Sequence, residues 1–277
     1  MQPVNNPRQR FCDLFAGDKP IDLIEAALMI ALEHDPALDP GHCRTQLKEL
    51  ASDARESVDL DSDTENIARQ LCDFLYRQEG FTGNHRDYYD PANSYFDQVL
   101  TRRTGIPISL ALVYIGVGEL LDLHIEPVGF PGHFLVKLVD GDSVYLDPYS
   151  GQVVSHDDCR ELLKTCTQGR VPFKPELLAT TGERDVVRRM LGNLKAIYTH
   201  RGDFAEVLSI CDRMLLVGDN MPQDLLDRAR VLEHLECYDL AARDLEQVLE
   251  NQPPPQVDAA IRKKIAELRD RSNTPIH

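Results

Sequence analysis

Ile21, Ile24, Leu28 and Leu32 recur at three- and four-residue spacing in IDLIEAALMIAL, which predicts an amphipathic helix. Asp18, ahead of Pro20, is its expected cap. Two prolines in HDPALDP break the pattern, and CRTQLKELASDARESV restores it through Leu47, Leu50 and Ala54. A third helix is expected over SDTENIARQLCDFLYRQEGF, opened by a capping box of Ser62 and Glu65 and ended by Gly80. From there GFTGNHRDYYDPANSY (80–95) has no periodicity and the Gly, Asn and Asp content of a loop. SYFDQVLTRR reads as a short helix. TGIPISLALVYIGVGELLDL follows, apolar nearly all round, so it should be the buried centre of its domain. Its Gly105–Pro107 start suits a helix N-terminus, because a proline there forfeits no intrahelical hydrogen bond.

Three short apolar runs come next: HIEPVGF, HFLVKL and SVYLDPY, bounded by turn residues and expected to be strands. Side chains alternate faces along a strand, so the turn between the last two decides which residues meet. If Val139–Gly141 turns the chain, residues whose numbers sum to 280 pair, and His133 lies opposite Asp147 on one face. A two-residue Asp140-Gly141 turn gives 281 and puts them on opposite faces. An odd-length turn or a bulge is therefore expected.

Beyond residue 186 the pattern is helical throughout, and it repeats. YTHRGDFAEVLSICDRML (198–215) aligns with LEHLECYDLAARDLEQVL (232–249) at an offset of 34, matching Phe204 with Tyr238 and Leu215 with Leu249. Each stretch is a helix, a turn and a second helix, and that period resembles tetratricopeptide repeats. NQPPPQ ends the second unit, and VDAAIRKKIAELRDR reads as a terminal amphipathic helix. Two repeats cannot bury a core alone, so this layer is expected to pack on the first domain. The expected division is 1–180 and 186–270.

Composition narrows the functional classes. Formal net charge is −16, with RDVVRRM (Arg184–Met190) the densest basic patch, so there is no basic stripe for nucleic acid. No apolar run is long enough to span a bilayer, and MQPVNNPRQR lacks a signal-peptide core, which makes a cytoplasmic protein the expectation. The seven cysteines are scattered with no CxxC, as buried reduced thiols are. Without HExxH, GxxxxGK or GxGxxG, neither a metal nor a cofactor is expected. Oligomeric state stays open.

GFTGN, YYDPANSYFDQVL, RRTGIPISLALVY, GFPGHFLVKL and LDPYSG, in that order and ahead of repeats, resemble the SirB-type bacterial family, which joins a transglutaminase-like core to tetratricopeptide repeats. The resemblance implies an α+β fold: a papain/transglutaminase-like core with a helical N-terminal part, a buried central helix and a small antiparallel sheet, then a C-terminal all-α repeat layer. It also implies a triad of Cys at a helix N-terminus, His on one strand and Asp on the next. His133 and Asp147 match the last two. The head of the helix reads Gly105, Ile106, Pro107, Ile108, Ser109 and holds no cysteine. A thiol there would gain from the helix dipole; Ser109 is the only hydroxyl in its place.

Two readings follow. In one, the protein is a non-catalytic transglutaminase-like module that binds a protein or peptide through its C-terminal repeats. In the other, it is a serine-dependent hydrolase or acyltransferase on an amide or ester, with Ser109 as nucleophile, His133 as base and Asp147 as orienter. A serine in the first turn of a helix is more often an ordinary cap or a satisfied core hydroxyl, and the His133–Asp147 pair fits a structural link as well as a retained binding pocket, so the first reading is the expectation. Asn93 in DPANSY and Asn84 in GFTGN are candidate binding amides, with turn-forming asparagines as the plainer account.

Overall fold

The chain was analysed as a computed structural model that describes residues 6–17, 19–218 and 221–273. It divides into two compact units, Met1–Met190 and Leu191–His277.

In the first unit, α1 (Pro7–Leu14) precedes α2 (Leu23–His34), whose Leu23, Ile24 and Ala26 to Ala31 are buried. The cap of α2 is Asp22, whose carboxylate accepts the Glu25 N–H at 2.8 Å; Asp18 lies outside the described residues. Helix α3 (Pro40–Ser57) follows, burying Leu47, Leu50 and Ala54 as their spacing requires. Helix α4 (Thr64–Cys72) is capped by Asp63, not Ser62, because the Ser62 hydroxyl donates to the Asp59 carbonyl instead. It runs into a π-helical stretch, Asp73–Gln78.

The predicted loop contains one element with no local signal. Strand β1 (Thr82–Gly83) pairs in parallel with β2 (Thr104–Gly105), on the far side of α5 (Phe96–Arg102). This two-residue ladder ties the loop to the head of α6 (Pro107–Leu120). Every residue of α6 from Pro107 to Tyr114 is buried, so it is the central helix its composition requires.

Four strands form one antiparallel meander in chain order: β3 (Ile125–Val128), β4 (Leu135–Asp140), β5 (Asp142–Asp147) and β6 (Gln152–Val154). Strands β3 and β4 pack on α6, and α4 packs on β4, β5 and β6. Helix α7 (His156–Thr167) buries Cys159 and Leu163 in a second cluster with Val128, Phe130, Leu135 and Leu178. The β4–β5 turn is Gly141 alone, at φ +75°, with Asp140 paired to Asp142. The paired numbers therefore sum to 282. The turn is odd, as alternation demanded, and the shift by two keeps His133 and Asp147 in one parity while making them diagonal rather than opposite neighbours.

Glu126 on β3 shows how the edge of this sheet is held. Its carboxylate accepts from the Thr180 hydroxyl, from His124 at 2.8 Å and from its cross-strand neighbour Lys137 at 3.1 Å. The Thr180 bond is the largest cause, and despite some burial the pKa falls from 4.5 to about 2. Such stability exists above the unfolded value and is lost as pH falls through the folded one. Glu126→Gln is thus expected to cost about 1–2 kcal/mol at pH 7, after allowance for solvent screening. In urea unfolding at stepped pH, the gap should close between 4.5 and about 2.

Helix α8 (Glu183–Arg201) begins in the first unit and continues into the second, which is all helical: α9 (Phe204–Val217), α10 (Met221–His234), α11 (Tyr238–Glu250) and α12 (Pro255–Ser272). Helices α9 and α11 start at residues 204 and 238, reproducing the sequence offset of 34. Leu225, Ala229, Leu232, Ala241, Ala242, Leu245, Val248, Ile261 and Leu268 form its core. Arg228 crosses from α10 to Asp244 with two bonds of 2.8 and 2.7 Å and also reaches Asp212 at 2.8 Å. An apolar slot of about 440 Å³ opens between α10 and α12, floored by Leu226, Ala229, Leu245, Ala260 and Ile261. Among the described residues, no helix is long and apolar enough to cross a membrane.

Candidate functional site

His133 sits in the turn that leads into β4, and Asp147 ends β5. Their side chains meet: His133 Nε2 and Asp147 Oδ1 are 2.8 Å apart, with only 9% and 8% of the two side chains exposed. At that exposure an ionised carboxylate needs several donors to offset its lost hydration. It has them: Oδ1 also accepts the Tyr149 N–H at 3.0 Å, and Oδ2 accepts the Ser150 hydroxyl at 2.8 Å. Burial alone would raise the Asp147 pKa; the bonds from His133, Ser150 and Tyr149 outweigh it and hold it below the ordinary value. The pair is thus a histidine oriented by an anion, with Nδ1 carrying no hydrogen bond among the described residues.

The histidine turn is fixed from behind. Arg189 on α8 donates through Nη2 to the carbonyls of Phe130, at 2.9 Å, and of His133, and its guanidinium lies 5.2 Å from the Phe134 ring centre. The Thr181 hydroxyl accepts the Gly129 N–H at 2.6 Å. Gly132, at φ +72°, brings its backbone against Cys166 of α7, leaving no room for a side chain.

The head of α6 is occupied differently. Ser109 is buried, and its hydroxyl is 2.5 Å from the Asn93 carbonyl, to which it donates, and 3.1 Å from the Ile106 carbonyl. It also accepts the Ile106 N–H at 3.1 Å. These are the bonds of a helix cap, and among the described residues Ser109 has none to His133. The structure therefore brings His133 and Asp147 together and fastens Ser109 to the loop instead.

Asn93 and Asn84 build that loop. Asn93 is fully buried; its amide donates to the carbonyls of Asp87, at 2.7 Å, and Tyr88, at 3.3 Å, and accepts from Asn84 Nδ2 at 3.0 Å. Asn84 Oδ1 accepts the N–H groups of Arg86 and Asp87, as an Asx turn does. Asn93 thus spends both amide hydrogens on the loop itself, and Asn84 spends one on Asn93.

Tyr149 is the residue that joins the two parts, a role that sequence reasoning misses. Its hydroxyl donates to the Asn84 carbonyl at 3.2 Å, and its ring stands edge-on to His133 with centroids 5.9 Å apart. The ring lies over Gly83, where a Cβ would fall 2.3 Å from it. The only signal for this was LDPYSG, where the two residues after the proline supply donors to Asp147. Arg189 had a weaker one, as part of the RDVVRRM patch. The cysteines closest in charge to the pair gain nothing from it: burial and the Asp147 carboxylate push Cys166 up, and burial takes Cys72 to about 12 and Cys159 to about 11. A thiol nucleophile requires the opposite shift.

Comparison with known proteins agrees with this architecture. Residues 41–192 match the model of the transglutaminase-like superfamily, and residues 194–270 that of the tetratricopeptide repeat. A UPF0162 protein of Xylella fastidiosa is 32% identical over 85% of this chain and 86% of its own. One of Pseudomonas aeruginosa is 30% identical over 98% of this chain and 100% of its own. F-box only protein 21 of Mus musculus is 33% identical over 59% of this chain and 27% of its own. The chain belongs to the transglutaminase-like superfamily and carries tetratricopeptide repeats after that core; the finer SirB-type assignment rests on the sequence blocks alone.

Proposed function

We propose that this member of the transglutaminase-like superfamily is a non-catalytic protein-interaction or regulatory module. The observation that carries the reading is the engagement of Ser109: its hydroxyl hydrogen is directed at the Asn93 and Ile106 carbonyls, and no cysteine stands at the head of α6. With no cysteine at that helix head and Ser109 engaged elsewhere, the pair has no side chain through which to form an acyl-enzyme. The raised thiols around Asp147 support the same reading. The partner is a protein or peptide taken up by the repeats, and the slot between α10 and α12, with Arg230, Glu233 and Lys264 beside its apolar floor, is the surface suited to it.

The alternative, a serine-dependent hydrolase or acyltransferase, draws on the His133–Asp147 pair, which has the form of a base and its orienter. A fluorophosphonate probe separates the two. No labelling of the full chain at neutral pH is the expected result. Labelling that vanishes in both Ser109→Ala and His133→Ala would overturn the non-catalytic reading.

A further inference from the structure

A cavity of about 430 Å³ lies in the first unit, bordered by the end of α2, the start of α5 and the one-turn 3-10 helix Pro91–Asn93. Ala31 and Pro91 give it apolar wall, and three carboxylates line it: Asp35, Asp90 and Asp97. It shares no lining residue with the His133–Asp147 pair.

The three carboxylates are not equally answered. Asp90 accepts the Ala92 N–H at 3.1 Å and pairs with Arg102 at 2.8 Å. Asp35 is exposed and accepts only the Ala37 N–H, at 3.0 Å, with no cation among the described residues. Asp97 is the anomaly, because it is only 8% exposed. Its Oδ2 accepts the side-chain amide of its neighbour Gln98 at 2.7 Å. Among the described residues Oδ1 has no hydrogen bond, and no cation pairs with either oxygen. Asp147, at 5% exposed, gathers three donors by contrast. The first turn of α5 favours a negative charge at Asp97, but a dipole supplies no donor. A carboxylate stripped of water and given one neutral donor is destabilising as the protein stands. The space beside it is the cavity.

Two carboxylates without a cation select a positively charged occupant. Among the described residues no group of three or more His, Cys, Asp or Glu is placed to hold a metal ion, which leaves an organic cation. The rest of the lining narrows its shape. The His34 ring lies flat on the Tyr95 ring, with centroids 4.2 Å apart and planes 7° apart, and both residues line the cavity. A guanidinium suits such a wall: its plane stacks on an aromatic face, and its fork bonds a carboxylate through two N–H groups. The volume is that of a small-ligand site.

We propose that this cavity binds an alkylguanidinium group. Asp97 is the buried anion that takes the fork, Asp35 a second anion at the exposed rim, and the His34–Tyr95 stack the surface for its plane. Such a group is carried by a free guanidino compound or by an arginine side chain, and the chemistry recognised is the same. The site stands whether or not the core is catalytic.

The test is isothermal titration of the full chain at low salt. Two probes stand for the two sources: n-butylguanidine for a free compound and N-acetyl-arginine N-methylamide for a peptide. Both should bind, and the tighter of them names the source. N-acetyl-citrulline N-methylamide, the neutral isostere, should bind at least about tenfold more weakly than its arginine counterpart. N-acetyl-lysine N-methylamide, a point charge without a fork, should bind several-fold more weakly. Asp97→Asn should abolish the preference for arginine over citrulline without lowering the melting temperature of the free protein, since it removes an unanswered buried charge. Asp35→Asn, on the exposed rim, should weaken the arginine probe several-fold with the circular dichroism spectrum unchanged. Equal binding of the arginine and citrulline probes, or of the arginine and lysine probes, would overturn the assignment. Undiminished binding by either folded variant would place the cation on the general acidic surface and overturn it too. A lower melting temperature for Asp97→Asn would show that Asp97 serves the fold, with the same consequence.

Discussion

Asp147→Ala is expected to destabilise the protein by about 3 kcal/mol, and Asp147→Asn by about 1 kcal/mol. The difference isolates charge from hydrogen bonding. Alanine strands three donors at once: the His133 ring, the Tyr149 N–H and the Ser150 hydroxyl, in a place almost closed to water. Asparagine keeps an oxygen for His133 and Tyr149 and turns its amide to Ser150 Oγ, which can accept. Because the Asp147 carboxyl is held below its ordinary value of 3.8, its contribution is complete above that pH and lost as pH falls through the folded value. Wild type and Asp147→Asn should therefore converge in acid while part of the gap to Asp147→Ala persists, and urea titrations stepped down from pH 7 check both points. An alanine variant as stable as wild type at pH 7 would mean that the pair is not what holds this end of the sheet.

How much of this was legible in the sequence follows from the range of each interaction. The contact of His133 with Asp147 could be anticipated because strand alternation depends only on parity, and register sums of 280 and 282 have the same parity. The central helix was legible because burial on all sides writes itself into composition, and the repeats because their period recurs. Ser109 was not legible. Its position on α6 could be counted, but the carbonyl it donates to lies 16 residues away, in a loop with no periodicity, and is brought there by a two-residue parallel ladder. Arg189 bonds to His133 across 56 residues, with only a short basic patch as a clue. Helix α7 is a different case: Ser155 and Asp158 form a local capping box that is readable as such, yet the helix was not anticipated. At α4 two neighbouring caps competed, and the choice turned on the Asp59 turn, which engages Ser62 and leaves Asp63 to the helix.

The second large effect is expected at Gly151, in the four-residue loop between Asp147 and Gln152, which pair across β5 and β6. Its N–H donates to the Asp147 carbonyl at 2.8 Å, and its φ is +67°. That conformation costs a residue with a Cβ about 1 kcal/mol. Packing costs more. A Cβ built on Gly151 would lie 2.2 Å from Tyr76 Cγ and 2.4 Å from Tyr76 Cβ, in the π-helical stretch that follows α4. Tyr76 cannot yield by swinging its ring, because its own Cβ is in the way. Relief requires backbone movement in the π-helical stretch or in the loop, and the loop carries Tyr149 and Ser150, two of the three donors to Asp147. Gly151→Ala should therefore cost about 3 kcal/mol or more. A double-mutant cycle with Tyr76→Ala divides the loss. Removing the ring should recover the part due to Cγ, while the Cβ overlap and the left-handed φ persist, so the coupling should be favourable but incomplete. Full additivity of the two variants would place Tyr76 away from Gly151. Full recovery would mean the ring is the whole obstacle, and the loop beneath Asp147 free to accept a side chain.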